Sequence, residues 1–399
     1  LPYIKTPIVE DPPTAEPTVE PTAQPPDVPA GVFLETFDGD PAEPTRWNPA
    51  NWDITSHSRD IENRYEIDPM QAAHGPNCTP PPDSHAISAY EDTVYNCKNH
   101  VMTAMNAFGY GMIYLTPNHI VDFSNGEAQI SFDVSTLRTS GRDWIDIWVT
   151  PFEDNLQLPL QEPIPDGTGE PRNAVNIMMD TNSSIFRTRV TRDFVTEDVP
   201  GTDVDYIGYE SFLVPDARRR DTFVLTISDT HIKFGMPDYE HWWVDADIAS
   251  LGWDRGVVQL GHHSYNPTKD CGECGPNTWH WDNVLIDPAV PFTMIKADRR
   301  YVDDSSGTNS VNLAVPAPAN AHLRFAGIGY DLEVSFNDGG TWQSAQLQAH
   351  NPALLAVDHF KSYWMPIPKG VERVRFRGND GGGVVWHVRD IAVWSLESQ

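Results

Sequence analysis

The sequence predicts an all-β chain: two antiparallel β-sandwich domains of jelly-roll-like build, preceded by an extended proline-rich N-terminal arm. Three observations lead there. Thirty-five prolines and 27 glycines in 399 residues interrupt the chain too often for long helices. Short runs of alternating apolar and polar residues recur between turn residues, without amphipathic helices between them. Thirteen Trp, 13 Tyr and 16 Phe supply bulk for sizeable cores although only 39% of residues are hydrophobic.

Residues 1–30 hold nine prolines, five acids and one base, with Glu-Pro-Thr at both 16–18 and 20–22. Such a segment cannot bury a core and is expected to extend as a polyproline-like arm. Its tip carries Tyr3, Ile4, Ile8 and Val9, apolar side chains suited to docking on a neighbouring subunit. The chain starts at Leu1 with no basic segment or apolar run ahead of the arm. That is the pattern of an exported chain whose signal has been removed, so the expected location is secreted, at the extracellular cell surface.

The first sandwich is expected over residues 31–288. It opens with a strand at 32–37 that ends in the acidic turn Asp38-Gly39-Asp40. Alternating runs follow at 111–116, 128–134, 144–149, 174–179, 222–227, 231–234, 256–261 and 280–286. Long connections at 41–100 and 151–172 are the places where specific binding is expected. A second sandwich is expected over 289–399, with strands at 311–315, 321–325, 332–336 and 371–376. An internal echo supports the division: Trp279-His280 precedes Asp282-Asn283-Val284, and Trp386-His387 precedes Asp390-Ile391.

A formal charge of −30 from 57 acids and 27 bases repels phosphate backbones and anionic headgroups, which excludes nucleic acid and membrane surfaces as expected partners. No run of about 18 apolar residues is present to span a bilayer. The four cysteines fall in two local pairs, Cys78 with Cys97 and Cys271 with Cys274, and two loop-closing disulfides are expected. Cys271-Gly272-Glu273-Cys274 with His262, His263 and His280 is the alternative, a zinc site. Asn77-Cys78-Thr79 and Asn182-Ser183-Ser184 fit the N-glycosylation triplet.

Residues 31–288 resemble the concanavalin A-like lectin/glucanase superfamily of jelly rolls, of which laminin-G-like domains are part. The resemblance is carried by Glu35-Thr36-Phe37-Asp38-Gly39-Asp40, by the run 126–134, by the strand-turn-strand 223–234 and by Trp281-Asp282-Asn283-Val284. It implies a structural calcium ion between the opening turn and the last strand, with Glu35, Asp38 and Asp282 as oxygen ligands. In the second unit, Ser335-Phe336-Asn337-Asp338-Gly339-Gly340-Thr341-Trp342 resembles a single Asp-box hairpin with Asn337 in place of the usual Asp, and is read as structural.

The glucanases among these jelly rolls resemble a template of several carboxylates on one strand, Glu-x-Asp-x-x-Glu. The nearest segment, Asp143-Trp144-Ile145-Asp146-Ile147-Trp148, has no Glu, and its two acids are three apart and so point to opposite faces. No catalytic residue is assigned, and the expectation is a non-enzyme. Trp144, Asp146 and Trp148 do share a face, an aromatic-acid-aromatic stripe suited to stacking on sugar rings and accepting their hydroxyls. The competing reading is core packing with Asp146 paired. Trp243 and His263 are expected to line the same glycan-binding region.

Three functions follow. The first is a non-catalytic structural subunit of the cell surface that assembles with copies of itself, as a filament or surface layer, by arm docking. The second is a carbohydrate-binding lectin or adhesin with the arm as a stalk. The third is a glycoside hydrolase or polysaccharide lyase with active groups in the long loops.

Overall fold

The computed structural model describes residues 29–37, 51–58, 71–72, 92–96, 100–105, 110–138, 142–154, 171–180, 185–200, 204–205, 220–265, 277–299, 301–304, 307–345, 361–379 and 385–396. The arm tip, Asp38, all four cysteines and both glycosylation triplets lie outside these residues. The described chain is nearly all antiparallel β-structure, arranged as four sheets.

Two large sheets form the first sandwich. A nine-stranded sheet runs His241–Asp247, His231–Met236, Asp221–Ile227, Ala128–Arg138, Asn277–Asp287, Val101–Met105, Asp92–Asn96 and Gln71–Ala72, with Phe33–Glu35 also on Asn277–Asp287. A ten-stranded sheet is built on the path Val195–Asp198, Ile185–Arg192, Ala174–Asp180, Arg142–Pro151, Arg255–Tyr265, Tyr110–Pro117 and Trp52–Ser58. Alternation decides which side chains enter the core between them. From the Arg142–Pro151 strand, Ile145, Ile147 and Val149 go inward; from Ala128–Arg138, Ile130, Phe132 and Val134 do. Phe132 stacks on Phe223, with ring centroids 5.7 Å apart.

A five-stranded and a four-stranded sheet with their own core make up the remainder, from Thr293 onward. Ala289–Pro291 still pairs with His119–Asp122 of the ten-stranded sheet, whereas Thr293–Lys296 pairs with the last strand, His387–Ser395. The chain therefore crosses from one core to the other at Phe292. The echo between the two units extends to the backbone. Asn283 and Asp390 both sit at positive φ, 48° and 53°, and each stands where its strand's pairing register shifts.

The two cores meet through a third apolar cluster of Ile120, Phe152, Val257, Phe292, Ala392 and Trp394. At its edge Arg324, only 2% exposed, lies over the Trp394 ring at 4.5 Å and donates to the Phe152 carbonyl. Burial lowers the Arg324 pKa to about 9. Lys296 Nζ reaches across to the Trp52 carbonyl at 2.5 Å.

Candidate functional site

The strands of the ten-stranded sheet that send Ile and Val inward send a different set of residues outward. Register places Asp53, Thr116, Gln259, Trp148, Asn176 and Arg189 in one row across five strand boundaries. The next row is Thr55, Tyr114, Gly261, Asp146, Met178 and Arg187. Trp144 and His263 pair in the row beyond. An outer sheet face made of hydrogen-bonding and aromatic side chains contrasts with the apolar face beneath it.

Asp146 is the centre of this face. Its Oδ2 accepts from Trp148 Nε1 at 2.8 Å and lies 3.0 Å from His263 Nε2. The same His263 nitrogen is 2.7 Å from the Tyr114 hydroxyl, and the His263 ring stacks on Trp144 at 4.9 Å with 12° between planes. Asp146 Oδ1 is buried and has no hydrogen-bond partner. Space for that oxygen exists because residue 261 is glycine: a Cβ there would stand 2.0 Å from Asp146 Oδ1 and 2.7 Å from Tyr114 Cε1. To one side, Arg189 Nη2 donates to Asn176 Oδ1 at 2.9 Å; to the other, Gln259 Nε2 donates to Thr116 Oγ1 at 3.1 Å.

Of the residues expected to hold a glycan, the structure brings Trp144, Asp146, Trp148 and His263 together. All four are buried, with Trp144 and Trp148 at 7% and 5% exposure, so the stripe is not a flat open platform. Trp243 is elsewhere. It packs between the sheets, stacked on Phe223 at 6.0 Å, because its position in His241–Asp247 falls on the inward parity of the opposite sheet. His262, next to His263, also faces inward, where its Nδ1 lies 2.9 Å from Thr103 Oγ1. A sequence reading does not single out Tyr114, Gln259, Asn176 and Arg189. Their signal is cross-strand register, which one strand read alone does not contain.

Of the three acids expected to bind calcium, Asp38 lies outside the described residues, and Glu35 and Asp282 each have partners within the protein. Glu35 accepts from Phe37 N at 3.0 Å and Trp52 Nε1 at 3.4 Å, and burial raises its pKa to about 7. Asp282 is bound by Arg220 at 2.7 Å, and burial raises its pKa to about 6 against the pull of that arginine. A guanidinium thus already occupies the Asp282 carboxylate. Among the described residues, no three His, Cys, Asp or Glu side chains gather as a metal cluster. His280 and His100 touch at 2.9 Å on the same sheet, and burial lowers both of their pKa values. No described helix is long and apolar enough to cross a membrane.

No family model matches the chain. No curated protein matches it in sequence. Among solved structures it is similar to a carbohydrate-binding module from Bacillus subtilis, at 10% identity over 46% of this chain and 84% of that one, with a TM-score of 0.27. A β-glucanase from Bacillus licheniformis is similar at 12% identity over 64% and 97%, with a TM-score of 0.32. A glycoside hydrolase family protein from Mycobacterium thermorestibile is similar at 13% identity over 64% and 98%, with a TM-score of 0.34. Likenesses this distant leave the chemistry to be read from the side chains themselves.

Proposed function

We propose that the outer face of the ten-stranded sheet binds a polysaccharide, and that the chain works as an exported carbohydrate-binding protein. The observation that carries this reading is Asp146: a buried carboxylate whose Oδ1 has no donor, set among Trp144, Trp148, Tyr114 and His263. A buried acceptor left unpaired costs about 1–3 kcal/mol, and a sugar hydroxyl is a donor of the right kind to recover it. The low exposure of both tryptophans selects a single glycan strand or chain end over a flat crystalline surface. It also couples binding to a local parting of the side chains above the stripe.

Hydrolysis by a carboxylate pair would need a second acid near Asp146 on this face. Asp53 is three strands away from Asp146, or about 14 Å at about 4.8 Å per strand, whereas Asp180 stands in the Trp144 row on the neighbouring strand, about 8 Å from Asp146 by register. Paired glycosidase carboxylates stand about 5–9.5 Å apart. The contact between Tyr114 and His263 favours a second reading, polysaccharide elimination, with that pair moving the proton.

Glycan-array binding by the full chain, compared with Trp148→Ala, tests the proposal. Selective retention of a polysaccharide that the variant loses while still folding cooperatively is the expected result. Equal binding by both proteins would refute it. Unsaturated sugar ends released by the wild type and not by Tyr114→Phe would establish the second reading.

A further inference from the structure

Charge is divided unequally along the chain. Residues 289–399 carry 10 bases against 11 acids, whereas residues 1–288 carry 17 against 46. The bases of the second unit are also concentrated. In the Arg373–Asn379 strand, Arg373, Arg375 and Arg377 alternate with the buried Val374 and Phe376, so all three emerge on the outer face of the four-stranded sheet. Arg373 meets Asp338 at 3.1 Å and Arg377 meets Glu333 at 2.6 Å. Arg375, between them, donates to the Gly339 carbonyl at 3.5 Å and has no carboxylate partner among the described residues. Trp342 lies against this ladder, its ring centre 4.3 Å from the Arg377 guanidinium and 5.2 Å from that of Arg375.

The hairpin that holds Trp342 is fixed independently of any ligand. Asn337, at φ 51°, accepts from the backbone amides of Glu372 and Arg373 at 3.0 and 3.2 Å. The turn is thereby tied to the arginine strand, and the tryptophan is held beside it. An indole ring flanked by guanidinium groups, on an exposed face, is a surface for a proline-rich acidic peptide. Prolines pack on the ring and carboxylates meet the arginines.

We infer that this face is the docking site for the chain's own acidic arm, through the two Glu-Pro-Thr phrases at residues 16–22. Two observations converge. First, the arm carries five acids and one base, opposite in sign to the arginines, and Pro17 and Pro21 follow Glu16 and Glu20 to supply rings for Trp342. Second, the arm starts beside the second unit. The Gly31 carbonyl accepts from Ala289 N at 2.6 Å, three residues before the chain enters the second core, and the 9 to 15 residues from Gly31 back to Thr22 and Glu16 extend about 28–47 Å. Docked on another copy, the contact is heterologous and propagates head to tail.

The test uses the full chain with a photocrosslinking benzoylphenylalanine at Val19. Adducts are expected in residues 333–342 and 373–377. Their yield should fall about tenfold in Arg375→Glu/Arg377→Glu, from about threefold per reversed exposed charge, and decline with added salt. Adding Glu16→Arg/Glu20→Arg to that variant should restore the yield, which a merely misfolded face would not do. Adducts joining two chains place the arm on a neighbour, and adducts within one chain place it on its own second sandwich; both support the docking. Adducts elsewhere, a yield indifferent to the reversals, or no rescue by the swap would overturn it. So would retention of an acidic polysaccharide on this face with no arm adducts.

Discussion

Replacing Glu35 with Gln is expected to leave the first sandwich nearly unchanged at pH 5 and to stabilise it at pH 8. Glu35 is 6% exposed, and burial raises its pKa from 4.5 to about 7 although Phe37 N and Trp52 Nε1 donate to it. In the unfolded chain the carboxyl titrates near its ordinary value. Between about pH 4.5 and 7 the folded protein therefore keeps a proton that the unfolded chain has released. Stability falls as pH rises through that window, the reverse of an ion-paired carboxylate. At 1.36 kcal/mol per pH unit, the loss is about 3 kcal/mol above pH 7. Asp282, raised to about 6 chiefly by burial, adds a loss of the same sign, so the comparison must be with the variant and not with the pH curve alone. Urea denaturation at pH 5, 6, 7 and 8, followed by tryptophan fluorescence, reads the effect. The Gln variant and wild type should agree within about 1 kcal/mol at pH 5 and differ by about 3 kcal/mol at pH 8. Parallel curves for the two proteins would refute the burial argument.

Three further outcomes are expected. Gly261→Ala drives a Cβ to 2.0 Å from Asp146 Oδ1 and should cost about 2–3 kcal/mol together with glycan binding; unchanged denaturation would contradict the packing described. Thr103→Val removes the oxygen shared by His262 Nδ1 and Trp281 Nε1 and should cost about 2–3 kcal/mol, read by the same denaturation. Arg324→Leu strips the buried donor from the Phe152 carbonyl and should cost about 2–3 kcal/mol at the contact between the cores. Calorimetry should then resolve two melting transitions, and a single transition at the wild-type temperature would count against that contact.

Much of the architecture is legible in the sequence because alternation and turn residues are local. The runs at 111–116, 128–134, 144–149 and 222–227 lie inside the strands Tyr110–Pro117, Ala128–Arg138, Arg142–Pro151 and Asp221–Ile227. Ile185–Arg192 escapes such a reading because Arg187, Arg189 and Arg192 dilute its apolar positions, and pairing on both sides holds it in the sheet instead. The run at 311–315 is displaced: the strand is Asn309–Asn312, and Leu313 makes only an isolated bridge with Ala297. At the site, parity along one strand groups Trp144, Asp146 and Trp148. Parity says nothing about which sheet a distant strand joins, so a sequence reading groups Trp243 with them although it fills the inner core. The partners of Asp146 come from strands more than 30 and more than 110 residues away, and only register brings Tyr114 and His263 to it.

Hydrogen-deuterium exchange of the full chain, with and without the polysaccharide that it retains, tests the central claim most directly. Binding on the outer face of the ten-stranded sheet predicts slowed exchange in 112–116, 144–148 and 259–263, with the outer face of the nine-stranded sheet around Asp133 and Thr222 unchanged. Protection confined to the nine-stranded sheet or to the second sandwich, with these three segments unaffected, would contradict it.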